Sequence, residues 1–482
     1  MDAGSADRTN TTLDPILSAV PWEDDFQLSG GINAVTGVSA AIAVEPFTLI
    51  ASPAYNTFES QRVIETESEL FREIETSVSG DYNIQGVTVN ASTEYLNSIR
   101  TSARSITLIA EYTVTTSGYL EADHYTLTPE AQQLLTSEGP ENFRAVYGDY
   151  FISGVRKQSS FRALYVCRAE SINQLNQFKA SIGGSSPGVF TASGSAAFTQ
   201  AAMNNSIQYE IYVYMVGASG SYIQNSGWSP DEVIQALNWF KKNHVGINFQ
   251  AKLKHYSLLV NNFPTTVAIS PEVFLQLRLT YTKVWRCNAL FHNCPANYKK
   301  DFEAPTNALI NGVVANQAIL PSDPVLLAAY KEQATILEEG LQAVYNRRNF
   351  YYMLLQNIAS HPEPEKGTEI DSGYQRRWVY GLIYNQDLAG VTLSLHAEDK
   401  SRQWEAGHIW QKDSFYFQDK ERLIVGWEML NHWGELNGTW TKVVDKIITT
   451  DTFHVNVESY AHRGFNWGVR VYHVPAKDYR FD

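Results

Sequence analysis

Apolar and polar residues alternate with a period of two along 77-SVSGDYNIQG-86. Val78, Gly80, Tyr82, Ile84 and Gly86 share one face, and Ser77, Ser79, Asp81, Asn83 and Gln85 the other. At Gly86–Val87 the phase flips, so that Val87, Val89 and Ala91 oppose Thr88, Asn90 and Ser92, as happens across a turn or bulge. A second stretch, 190-FTASGSAAFT-199, places Phe190, Ala192, Gly194, Ala196 and Phe198 opposite Thr191, Ser193, Ser195 and Thr199. A strand that crosses a bilayer in a barrel needs about 9–11 residues of this pattern, and both stretches can supply them. The same alternation also suits a half-exposed sheet or a Ser/Gly-rich surface loop.

Ordinary elements surround these two stretches. Short β-type runs, AIAV and FTLI, lie between Gly31 and Ala54, and an acidic block with helical spacing covers Glu65–Glu75. Ile106–Thr116 reads as a strand from its β-branched content. The sequence 128-TPEAQQLLTSE-138 has a Thr cap and Pro at the first helical position. The run 147-YGDYFISGVRKQSSFRALYVCRAES-171 reads as a long strand entered from a Tyr-Gly turn, and Ile207–Gly217 as another. Ser229-Pro-Asp-Glu232 is a capping box opening 230-PDEVIQALNWFKKN-243. Ser270-Pro271 opens a helix through Trp285, and a further helical region runs from Ser322 to Ile358 with Gly340 as a candidate break.

This pattern divides the chain into a mobile tail over residues 1–30, a main domain over 31–360, a Pro- and Gly-containing linker over 361–373 and an all-β module over 374–482. The module holds seven of the 11 tryptophans. Large aromatics fill small β cores, but those on loops can meet a sugar or a membrane interface. Two turn-rich stretches, 431-NHWGELNGTW-440 and 461-AHRGFNW-467, make Trp433, Trp440, Phe465 and Trp467 the candidate target-binding residues.

Composition narrows the function. The 482 residues carry a net charge of −14, which argues against nucleic acid as a partner, because phosphate affinity comes from clustered Lys and Arg. The N-terminus lacks a basic start followed by an apolar core, and no run of about 18 apolar residues marks a transmembrane helix. The expectation is a protein made in soluble form, which stays in the cytoplasm or is released by an unconventional route. Three cysteines make no disulfide scaffold. Cys287, His292 and Cys294 lack the partner pair that a zinc site needs, so neither metal nor cofactor is expected. One hydrolase motif is present, Gly184-Ser185-Ser186-Pro187-Gly188. Its oxyanion hole would need the backbone N–H of the residue after the serine, and that residue is Pro187, which has none. No P-loop, H-E-x-x-H or G-x-G-x-x-G occurs, and no enzymatic activity is expected.

The order of elements resembles the membrane attack complex/perforin (MACPF) family of pore-forming proteins over residues 31–300. A Ser/Gly-rich alternating segment, a strand, a Leu/Pro helix and Tyr-Gly entering a long strand are followed by a second such segment, a strand ending in glycine and a capped helix. Tyr147, Gly148, Tyr150, Phe151 and Ile152 match the family's short motif, and Gly217 resembles its bend glycine. The chain departs from the pattern at Asp149, where Thr is common, at Tyr150, where His is common, and at Arg156–Gln158, where a glycine pair is usual.

The resemblance implies an α+β fold: a bent, twisted antiparallel central sheet of four strands, flanked by helical clusters and followed by the all-β C-terminal module. It also implies that the clusters unfurl into two amphipathic hairpins per subunit, in a homo-oligomeric ring that forms a β-barrel pore. Val78, Tyr82, Ile84, Val87 and Val89 would then face lipid in one hairpin, and Phe178, Ile182, Phe190, Ala192, Ala196 and Phe198 in the other. The partners implied are a target membrane lipid or glycan receptor, further copies of the chain, and room for a second protein component. A non-lytic adhesion or defence protein that binds a membrane or glycan is the alternative on the same fold.

Overall fold

A computed structural model describes residues 11–50, 54–78, 94–183, 188–224, 227–267, 271–359, 368–371, 376–381, 396–404, 410–432, 440–460 and 465–481. The chain is a mixed α+β protein with a large antiparallel sheet, and it divides into two compact units, residues 1–170 with 174–341 and residues 171–173 with 342–482.

The chain runs, in order, through β1 (Thr11–Thr12), β2 (Ile16–Pro21), β3 (Gly30–Ile32), β4 (Ser39–Ile42), β5 (Tyr55–Ile64), α1 (Glu67–Val78), β6 (Ser105–Thr116), β7 (Leu120–Glu121), α2 (Pro129–Tyr147), β8 (Tyr150–Arg168), α3 (Ile172–Ser181), α4 (Ala192–Asn204), β9 (Gln208–Val216), α5 (Pro230–Asn243), β10 (Ile247–His255), β11 (Thr266–Val267), α6 (Pro271–Asn293), α7 (Ala296–Ala315) and α8 (Pro324–Ala359), of which the last belongs to the first unit only as far as residue 341. Nine of these strands form one antiparallel sheet around β8. The far half of β8 lies between β6, paired with β5, and β9. Its near half pairs instead with β10, β7 and β3. The change of partners falls at Gln158–Ser160.

Alternation sets the two faces of the far half. Phe161, Ala163, Tyr165 and Cys167 of β8, with Ile106, Leu108 and Ala110 of β6, pack under α3, α4 and α5 in one apolar core. The opposite face carries Arg62 of β5, Glu111 of β6 and Arg162 of β8, which pair with one another and with α1. Helix α5 starts as the sequence predicts, with Ser229 Oγ accepting from the Glu232 N–H, and α2 has its Thr128 cap.

Several expectations change. The tail predicted over 1–30 is ordered from residue 11, because β2 pairs with β10 and Leu13, Val20 and Phe26 are buried in a second core. FTLI forms no strand. Gly340 does not break α8, which continues past it. The boundary between the units falls within that helix at residues 341/342, not at the predicted linker, of which residues 368–371 form a strand.

The second unit holds β12 (Thr368–Asp371), β13 (Arg376–Gly381), β14 (His396–Trp404), β15 (Trp410–Gln418), β16 (Arg422–His432), β17 (Trp440–Ile448), β18 (Thr452–Tyr460), β19 (Phe465–Pro475) and α9 (Ala476–Tyr479). They form sheets of order β12-β13-β16-β19-β14 and β15-β18-β17. Phe350, Tyr351 and Leu354 of α8 pack on Leu423, Val425 and Val474, so this unit carries helix as well as strand.

Candidate functional site

Strands β5, β6, β8 and β9 are neighbours in that order, and two insertions leave the same end of them. Residues 65–104 connect β5 to β6, and residues 169–207 connect β8 to β9. Each is about twice the roughly 20 residues that two membrane crossings require.

The second insertion is helical and apolar in its attachment. Helix α4, 192-ASGSAAFTQAAMN-204, begins at Thr191, whose Oγ1 accepts from the Gly194 N–H at 3.0 Å. Its five alanines favour helix and its Gly, Ser and Thr do not; a helix this short is marginal by itself, so packing holds it in place. Phe178, Ile182, Phe190 and Phe198 lie in the core against the sheet. The Phe198 ring is 4.9 Å from that of Tyr165, 5.7 Å from Phe178 and 5.2 Å from Tyr209. Ala192 and Ala196 are exposed instead, because a helical period separates residues that a strand would align. Val78 ends α1, whereas Tyr82, Ile84, Val87 and Val89 lie outside the described residues.

The first insertion is held by charge. Arg62 donates to both carboxylate oxygens of Glu73, and its other amino group reaches Glu111 at 3.3 Å. Arg162 donates to Glu111 at 2.8 Å and lies 4.6 Å over the Tyr95 ring. Tyr95 in turn donates its hydroxyl to Glu73. Burial alone would raise the Glu73 carboxyl, but the hydrogen bond and charge of Arg62, helped by Tyr95 and Arg162, outweigh it and hold it below the ordinary carboxylate range.

Helix α6 braces the same insertion. Asn288 donates to the Asn97 side chain at 2.6 Å, and Asn293 accepts from the Thr101 N–H and donates to the Ile99 carbonyl, both at 3.0 Å. Lys179 of the second insertion pairs with Glu65 of the first at 3.0 Å. These polar contacts escape a sequence reading because their partners are far apart in the chain. The acidic block was the one signal.

The motif residues separate into two places. Gly217 closes β9 with φ +75°, where an added Cβ would lie 2.8 Å from the Gln158 carbonyl oxygen, so it sits at the partner change in β8. Tyr147 and Gly148 lie at the near end of β8, away from that point. A Cβ on Gly148 (φ +75°) would meet the Ile32 carbonyl at 2.4 Å. Tyr150 and Phe151 are fully buried there, in separate cores. Asp149, one of the departures from the family pattern, accepts from the Ala34 N–H at 2.8 Å and pairs with Arg144 at 2.6 Å. Burial raises its pKa in spite of both. The motif therefore anchors the N-terminal segment to the root of β8.

Trp433 lies outside the described residues. Trp440 begins β17, and Phe465 and Trp467 begin β19, so these three are strand residues and not loop residues. The alternating run 465-FNWGVRVYHVP-475 pairs along both its edges, with β14 and β16. Among the described residues, no helix is long and apolar enough to cross a membrane, and no group of three or more His, Cys, Asp or Glu could hold a metal ion. The thiol of Cys287 donates to the Ala334 carbonyl.

No protein-family model matches the chain, and no curated protein matches it. Among solved structures it is similar to stonustoxin, at 11% identity and TM-score 0.37 over 71% of this chain, which spans about half (50%) of that one. GNIP1Aa from Chromobacterium piscinae is similar at 12% identity and TM-score 0.23, over 55% of this chain and 56% of that one. Astrotactin-2, described as a perforin-like membrane protein involved in neuronal development, is similar at 8% identity and TM-score 0.25, over 93% of this chain and 70% of that one. Likeness at this level leaves any assignment to the chain's own geometry.

Proposed function

We propose that this chain is a pore-forming protein that binds a target membrane, assembles with copies of itself into a ring, and inserts residues 65–104 and 169–207 as two amphipathic hairpins. One observation carries the reading. Both insertions leave the same end of four adjacent antiparallel strands, so each can re-form as a hairpin that lengthens those strands. A single subunit could not remain in lipid in that form, because open strand edges there leave backbone groups unsatisfied; closing the sheet requires several copies. The Trp-rich second unit is the proposed reader of a lipid or glycan, and a second protein component is a further proposed partner.

The test is dye release from vesicles over a series of phosphatidylcholine, phosphatidylserine, cholesterol and glycolipid compositions, with electron microscopy of the same samples. Release together with ring-shaped assemblies is the expected result. Binding without release or rings in every composition would overturn the reading in favour of a non-lytic adhesion protein.

A further inference from the structure

If the insertions lengthen the existing strands, the register of the sheet states which of their residues meet. Ser105 is paired with Arg168, and Arg168 with Gln208. Ten positions further from the sheet, the same antiparallel register sets Tyr95 opposite Phe178, and Phe178 opposite Phe198. Three aromatics thus fall side by side on three adjacent strands. Their parity matches that of Thr107, Glu111, Arg162 and Glu210, so all three project from the face opposite the α3–α5 core. In the compact state they are divided between the two faces. Tyr95 lies against Arg162, whereas Phe178 and Phe198 are in the apolar core.

Resting on the pore-forming reading, we propose that Tyr95, Phe178 and Phe198 form a single aromatic row at the membrane–water interface of the inserted protein. This face turns to lipid, and the face now covered by α3–α5 turns to water. Aromatic rings with one wet edge occupy that level in membrane barrels. The residues on either side of the row agree. Beyond it, on the same parity, come Ala180, Ile182, Ala196 and Ala192, then Phe190. From Phe198 to Phe190 is about 27 Å along a strand, or about 20 Å of depth at the tilt of a barrel, close to the roughly 25 Å apolar band. Between the row and the sheet, the same parity carries Arg72, Asn97, Gln174, Asn176, Gln200 and Asn204, interrupted by Leu70, Ile74, Ile99, Ile172 and Ala202. The opposite parity holds Glu69, Glu73, Glu75, Lys179, Ser193 and Thr199, in keeping with a water-facing side; Phe71, Leu96, Leu175, Val189, Met203 and Ile207 interrupt it.

The accessibility test uses exposed positions. Asn176, Ala180, Ala196 and Gln200 are exposed in the compact state and bracket the row by two residues. Nitroxides are placed on Asn176→Cys, Ala180→Cys, Ala196→Cys and Gln200→Cys in the full chain. On vesicles that the wild type permeabilises, labels at 180 and 196 should relax with oxygen, and those at 176 and 200 with a water-soluble agent. Separately, Asn97→Cys/Asn176→Cys should form a disulfide, identified by peptide mapping, on those vesicles and not in solution. The off-register pair Asn97→Cys/Gln177→Cys should not. Equal accessibility above and below the row, or crosslinking of the off-register pair alone, would overturn the row while leaving pore formation standing. A wild type that releases no dye from any vesicle would overturn both.

Discussion

Ser159 donates its hydroxyl to the Gly217 carbonyl at 2.9 Å and accepts from the Gly246 N–H at 2.9 Å. These bonds tie the end of β9 to the residue at which β8 changes partners. Gly217 holds φ +75° with Ser159 Oγ 2.8 Å from the place of its absent Cβ. Gly217→Ala should therefore destabilise the first unit by at least about 1–2 kcal/mol, the cost of a left-handed conformation for an L residue, with the clash in addition. Gly118→Ala, where nothing lies within 4 Å, should be near neutral. Thermal unfolding of the two variants measures the difference.

The charged attachment of the first insertion makes a distinct prediction. Glu73→Gln removes the anion that Arg62 grips and should loosen residues 65–104 by about 2 kcal/mol, the scale of a hydrogen bond to a charged group. Limited proteolysis in solution should cut that segment sooner, and dye release should begin faster. The pH dependence follows from the depressed folded pKa of Glu73. Its stabilisation is complete above the ordinary carboxylate value of about 4.3 and is lost as pH falls through the lower folded value. Proteolysis of this segment in the wild type should then show no contribution from Glu73 between pH 7 and pH 5.

A buried histidine supplies the pH response in that range. His255 is fully buried, and its Nδ1 accepts from the Ser257 N–H. Burial, with the charge of Arg144 nearby, depresses its pKa to about 4. The unfolded chain takes up a proton below about 6.5 and the folded one does not, so stability falls as pH drops from about 6.5 to about 4. The full effect is on the order of 3 kcal/mol. Burial, then Arg100 and Lys299, lower His292 to about 4 as well. Denaturant midpoints at pH 7 and pH 5 should differ less in His255→Asn than in the wild type, since Oδ1 of Asn can keep the Ser257 bond.

How much of this was legible in the sequence follows from where each signal resides. Strands β6, β8 and β9 carry long β-branched and aromatic runs, and α2 and α5 carry their own caps, so local chemistry identified them. Strand β5, YNTFESQRVI, has a charged interior because Arg62 serves the buried ion network, and nothing local distinguishes that from a loop. Strand β2 is only partly buried along its length, which made it read as tail. Phe190 and Phe198 were recognisable because 190–199 alternates with a two-residue period, although in the compact state Phe198 sits on α4; Phe178 came only from the family resemblance. Tyr95 was not recognisable, since its partners come from register alone.

The central claim is that the second insertion leaves the sheet when the protein meets a membrane, and Cys167 reports this in the native chain. Its thiol is buried beneath α3 and α4, and burial pushes its pKa far above the ordinary thiol range, so it should resist a water-soluble maleimide in solution. Cys287 is buried in the helical part, bonded to the Ala334 carbonyl. On vesicles that the protein permeabilises, mass spectrometry should find Cys167 labelled and Cys287 still protected. Dye release with Cys167 as unreactive as in solution would show that the insertion stays on the sheet, and would contradict the account.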